Sequence, residues 1–278
     1  MVALVSVGLL LPTSGKAETI RMHVTNVAEK ALTAAAGKLK EQGLDVKMST
    51  EGGSTAGIAA LAGGAVDIAI TIRGITAQER SVAPDRRFQE EALAFQALVL
   101  VVPDDVWASG VRVLTKDQMT KVYEGRVKNW KDLGGEDRAL KFYNPTQGIG
   151  VWEPFVTWLY GDMRKASLGA NFEAVRSPEE TRDSVEFNRG SLSVAPPRFA
   201  DGKGVFALAI KTEEGAVVQP TLEEMRSHRY PLSRPIMAIV GNKPTGDVRK
   251  VLEFLRGKEG QELFAQSGLV PASPQESN

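Results

Sequence analysis

The segment Glu51-Gly52-Gly53-Ser54-Thr55-Ala56-Gly57 carries residue types suited to holding an anion. Glycines let the backbone approach a guest, and the first N–H groups of a helix have no partner within it. The helix dipole adds partial positive charge there, and the Ser54 and Thr55 hydroxyls can donate as well. The same residues also make an ordinary N-cap, the simpler reading of the local pattern alone. A nucleotide-type phosphate loop does not fit, because no Gly-Lys-Ser/Thr follows. Arg73, closing the run Asp67-Ile68-Ala69-Ile70-Thr71-Ile72-Arg73-Gly74, can hold an oxyanion by two parallel hydrogen bonds. It reads equally well as half of a surface ion pair with Glu79. Catalytic patterns are missing. His23 and His228 lie far apart without a Ser/Asp constellation, and there is no Gly-x-Ser-x-Gly elbow, His-Glu-x-x-His or Asp-x-Asp calcium loop. The chain reads as a binder rather than an enzyme, with no cofactor and no metal.

The elements that would position these residues alternate between strand and helix, the pattern of an α/β protein. Strand candidates are Thr19 to Val24, Asp45 to Ser49 and Asp67 to Ile72. Between them, Ala31, Leu32, Ala35 and Leu39 recur at helical spacing in a helix over Ala28 to Gln42 that Gly43 ends. Ala92 to Pro103 is apolar and long enough for one buried strand passing between two lobes. Lys116 to Tyr123, Phe155 to Leu159 and Pro178 to Val185 read as helical. Gly204 to Ile210 and Arg234 to Val240 read as strands, and Asp247 to Ser267 as one terminal amphipathic helix. Two lobes joined by crossing strands, with no flexible tether, make a clamshell whose ligands sit in the crevice at strand C-termini and helix N-termini.

A chain of 278 residues has material for two such lobes. Its 34 basic and 34 acidic residues balance, so no nucleic-acid surface is expected. The absence of cysteine excludes disulfides, thiol chemistry and a lipid-modified Cys. Val2 to Leu11 is apolar and is followed by Pro12, Gly15 and Ala17, which reads as the apolar and cleavage regions of a signal peptide over 1–17. No basic residue precedes that run. The mature protein would begin near Glu18 and be soluble and periplasmic.

The string GGSTAGIAALAGGAVDIAITIRGITAQE resembles the first binding loop and next strand of phosphate-type periplasmic substrate-binding proteins. ALAFQALVLVVP is similar to their first crossing strand, and LTKDQMTKVYEGRVKNWKDLGG to their second-lobe signature, the most specific of these matches. VEFNRGSLSVAP, GVFALAI, RYPLSRPIMAIV and VLEFLRGKEGQELFAQSGLVP extend the likeness over nearly all of the mature chain. The resemblance implies a type II periplasmic-binding-protein clamshell with crossing hinge strands. It implies lobes at 18–98 plus 229–278 and at 99–228, a monomer, and an inner-membrane ABC permease as partner. The implied ligand is phosphate or a related oxyanion.

One loop departs from the family. Where its members carry Arg, Ser and Thr at a helix start, this chain has Pro145, Ile149 and Val151, while Gly148 and Gly150 stay. In the first loop only Thr25 and Asn26 can still donate. The expected ligand residues are therefore Thr25, Asn26, Ser54, Thr55, Arg73, Gly148, Gly150 and Trp152. Trp158 and Trp130 are expected as packing residues. Hydrogen bonds to a charged group contribute roughly 1.5–3 kcal/mol each, so the lost donors weigh against tight phosphate binding of the family type. A changed, less charged ligand over the Ile149/Val151 rim, and a sensor or interaction module without transport, stay open as alternatives.

Overall fold

The computed structural model describes residues 19–272 apart from 148–149, 171, 243 and 245. The expected signal peptide and Gly148 thus lie outside the described residues. From Ile20 the chain runs β1 (Ile20–Val24), α1 (Asn26–Glu41), β2 (Val46–Ser49), α2 (Gly53–Ala62), β3 (Ile68–Thr71) and α3 (Ala77–Val82). In α1 the buried residues Ala28, Ala31, Leu32, Ala35 and Leu39 form one stripe against the sheet, as their spacing requires. Gly43 adopts φ 80°, a left-handed conformation open to glycine, and turns the chain toward β2. All of β3 is buried, because helices cover both faces of the sheet around it.

The apolar run expected as a single strand is two strands, β4 (Phe88–Ala97) and β5 (Val99–Pro103). They part at Leu98, whose N–H donates to Leu232 O at 2.9 Å, so the two crossings of the chain are tied together where the sheets change. β5 enters a second sheet. There the chain forms α4 (Asp104–Ala108), β6 (Val113–Thr115), α5 (Lys116–Tyr123), β7 (Lys141–Pro145), α6 (Trp152–Tyr160), β8 (Phe172–Val175) and α7 (Pro178–Phe187). It continues through β9 (Ser191–Ala195), β10 (Val205–Lys211), β11 (Val217–Val218) and α8 (Leu222–Arg226). β12 (Ser233–Gly241) returns to the first sheet, followed by α9 (Gly246–Arg256), α10 (Lys258–Gln266) and β13 (Val270–Pro271).

The first sheet has the order β13-β4-β12-β3-β1-β2 and the second β11-β10-β5-β9-β7-β8, with β6 beside β10. β1 is parallel to β2 and β3, while β12 runs antiparallel to β3 and β4. Each sheet has a hydrophobic core of its own: Leu32, Ile70, Leu252 and Phe264 belong to one, Leu100, Trp130, Phe155 and Leu192 to the other. The single terminal helix expected over Asp247 to Ser267 is instead a pair, α9 and α10, broken where Gly257 is extended. Gly260 makes the break possible: a Cβ there would stand 2.4 Å from Phe254 O.

The second-lobe signature is structural. Thr115 and Gln118 form a reciprocal capping box at the start of α5. Trp130 is buried, and its Nε1–H donates to Gly190 O at 2.8 Å, joining the signature to the turn before β9. Among the described residues no helix is long and apolar enough to cross a membrane.

Candidate ligand site between the lobes

The α2 loop and the end of β3 form one hydrogen-bonded unit. Gly52 and Gly53 both have positive φ, 84° and 64°, which lets the chain turn sharply into α2. Ser54 Oγ accepts from Ile72 N–H at 3.1 Å. Arg73 donates to both Glu79 carboxylate oxygens at 2.8 Å and to Thr55 Oγ1 at 3.0 Å. A further bond runs from Arg73 to Gly74 O at 3.0 Å. Of the two roles open to Arg73, the structure shows the ion pair: its fork is filled by Glu79. The hydrogen bonds from Arg73 hold the Glu79 carboxyl at about 2, well below the ordinary carboxylate range, and Glu79 in turn raises the Arg73 guanidinium further. Arg73 thus fixes the Thr55 hydroxyl in place, and its charge is already compensated.

His23 backs this loop. It is 4% exposed, and its Nε2 lies 2.8 Å from Glu51 O, which makes Nε2 the protonated nitrogen. Its ring packs on the Cα of Gly57. That is a buried structural histidine.

A second set of residues lines a cavity between the two sheets, with a volume of about 460 Å³. Asn26 and Val27 bring the N-terminus of α1 to it, and Gly150 and Val151 bring the approach to α6. The first N–H groups of both helices have no intrahelical acceptor, so the cavity receives two positive dipole ends. Thr25 is the N-cap of α1, yet its hydroxyl makes no capping bond; the residue is 6% exposed. Gln96 on β4 donates to Gly150 O at 3.2 Å, linking a crossing strand to the second lobe. Arg234 on β12, paired in register with Gln96, and Arg198 complete the wall.

Of the expected residues, Asn26 and Gly150 line this cavity, and Thr25, which directly precedes Asn26, is buried and does not line it. Ser54 is bonded to Ile72, and Thr55 to Arg73, in the α2 unit, and none of the three lines the cavity. Trp152 packs on the second-lobe core and does not line the cavity. Trp158 also packs on that core, beside Phe155. Pro145 and Val151 are buried and offer no side-chain donor. Sequence reading missed Gln96, Arg198 and Arg234. No local signal marks them: Arg234 and Gln96 meet across 138 positions of sequence.

A two-lobed α/β clamshell with a crevice beside its crossing strands is the architecture of a periplasmic-type binding protein. The chain belongs to that family: the model of the PBP superfamily domain matches residues 12–259. Among curated relatives, the phosphate-binding protein PstS of Bacillus subtilis is 23% identical over 251 residues, 90% of this chain and 79% of that protein. The crystal structure of PstS from Borrelia burgdorferi superposes with a TM-score of 0.72 at 18% identity, covering 92% of this chain and all of that one. An ABC-type phosphate transport receptor from Vibrio cholerae gives a TM-score of 0.64 at 25% identity, again over 92% of this chain.

Proposed function

We propose that this chain is an exported solute-binding protein that captures phosphate or a related oxyanion between its lobes and delivers it to an ABC importer. The observation that carries this reading is the convergence of the α1 and α6 N-termini on one interlobe cavity, in a fold shared with phosphate transport receptors. Thr25 and Asn26 would donate from the first lobe and Gly150 from the second. Ser54 and Thr55 would shape the adjoining loop, with Arg73 as the positioning residue behind Thr55. The lobes would divide at 98 and 229 and close about Leu98 and Leu232, with no bond of the ligand made or broken. Closure would raise the population of a form that an inner-membrane permease recognises. Calorimetry of the ligand-stripped mature chain against phosphate and sulfate tests this. Micromolar or tighter phosphate binding is expected, and a flat titration with both anions would remove the reading.

A further inference from the structure

The position of the family's second-lobe arginine is Pro145 in this chain, and an arginine on another element faces the interlobe cavity. Arg234 lines the interlobe cavity from β12, and its side chain is 23% exposed. Its Nε donates to Gln96 Oε1 at 2.6 Å, a neutral partner. The nearest carboxylate is Glu153 at 3.5 Å, on a side chain 54% exposed. Among the described residues its second amino nitrogen makes no hydrogen bond. Compare Arg73, whose fork is filled by Glu79 at 2.8 Å. A guanidinium that faces a cavity and is so loosely paired has donors available to an anion that enters it. On the same cavity wall stands Arg198, whose nearest carboxylate, that of Glu179, is 3.8 Å away.

We propose that Arg234, assisted by Arg198, is the charge partner of a phosphoryl oxyanion in this cavity, in place of the arginine that Pro145 displaces. The inference rests on the carrier reading above and adds the source of charge to it. A guanidinium fork matches two phosphoryl oxygens, and the α1 N–H groups complete the shell. The apolar wall formed by Val27, Ala97, Leu98 and Leu269 has room for a substituent, since about 460 Å³ is in the range of small-molecule sites. The phosphoryl group would therefore be inorganic phosphate or a small phosphomonoester.

The test titrates wild type, Arg234→Ala, Arg234→Lys, Arg198→Ala, Glu153→Gln alone and combined with Arg234→Ala, and the surface control Arg164→Ala with inorganic phosphate and with glycerol 3-phosphate. Circular dichroism accompanies each variant. Arg234→Ala is expected to weaken binding about tenfold to a hundredfold, with Lys intermediate because it keeps the charge and loses the fork. Glu153→Gln removes a carboxylate that both competes for Arg234 and repels an anion directly. Its gain is expected to be larger in wild type than in the Arg234→Ala background, a difference that a merely structural Arg234 would not produce. Arg164→Ala should match wild type. Should Arg234→Ala fail to fold, Arg234→Lys and Arg198→Ala decide the matter. Unchanged affinity in all folded Arg234 and Arg198 variants overturns the proposal and leaves the carrier reading intact. Binding of glycerol 3-phosphate alone, dependent on Arg234, keeps the proposal and overturns inorganic phosphate as the cargo. No binding of either probe by wild type overturns both.

Discussion

Arg73 shows how one side chain can look like a ligand group and serve another purpose. Its position at the end of a crevice strand and its planar fork suit an oxyanion, but Glu79 fills the fork with two bonds of 2.8 Å. Geometry decides between the two roles, and residue type alone could not. The consequence is a pH dependence. The Glu79 carboxyl is held at about 2 by its bonds to Arg73, against roughly 4.3 for an unperturbed Glu. A carboxylate depressed in the folded state stabilises fully above its unfolded value, and that contribution fades as pH falls through the folded one. Wild type should therefore lose thermal stability between about pH 5 and pH 2 more steeply than Glu79→Gln. Unfolding scans of both proteins across that window check it, and parallel curves would mean the pair contributes nothing to folding.

At the scale of elements, the same substitution should have opposite signs in two helices. Gly37, on the exposed face of α1, has nothing within 4 Å of where a Cβ would stand. Gly37→Ala should stabilise by about 0.5–1 kcal/mol through the backbone entropy that glycine loses on folding. Gly57 in α2 would place its Cβ 2.5 Å from His23 Nδ1, on a ring already held by Glu51 O. Overpacking costs roughly 1–3 kcal/mol, so it outweighs the same propensity gain. Gly57→Ala should lower the unfolding midpoint by about 2–4 °C, and Gly37→Ala should raise it. A rise in both would mean the His23 ring yields freely. These cases also show what the sequence disclosed. α1 was legible because a helix with one buried stripe writes its period into Ala31, Leu32, Ala35 and Leu39. The division at Leu98 was not, because strands buried on both faces leave a continuous apolar run with no period to interrupt. The break at Gly257 is hidden for the converse reason: the amphipathic pattern carries on across it. Most of the site was hidden too. Arg234, Gln96 and Gly150 come together only when β12 returns beside β4, and no local spacing encodes that meeting.

Across the whole molecule, the return of β12 brings the candidate site beside the strands that cross between the lobes. Gln96 and Arg234 are register neighbours on the crossing strands, next to the point where Leu98 N–H meets Leu232 O. Gln96 reaches over to Gly150 O at 3.2 Å, and Arg234 approaches Glu153 at 3.5 Å, so both contacts run from the first sheet to the start of α6. A ligand that engages Arg234 would draw on the same groups that set the angle between the lobes. Affinity and closure should then change together, because a ligand shifts a two-state equilibrium only through its different affinity for the two states. Gln96→Ala removes a neutral hydrogen bond between the lobes and frees the Arg234 Nε without touching either core. It should weaken phosphate binding by about fivefold to tenfold, as expected for a bond contributing roughly 1 kcal/mol. It should also reduce the contraction seen by small-angle X-ray scattering when ligand is added. Wild type is expected to contract on saturation with phosphate. If Gln96→Ala loses affinity yet contracts fully when saturated, the residue acts on the ligand alone, and the hinge is governed by Leu98 and Leu232.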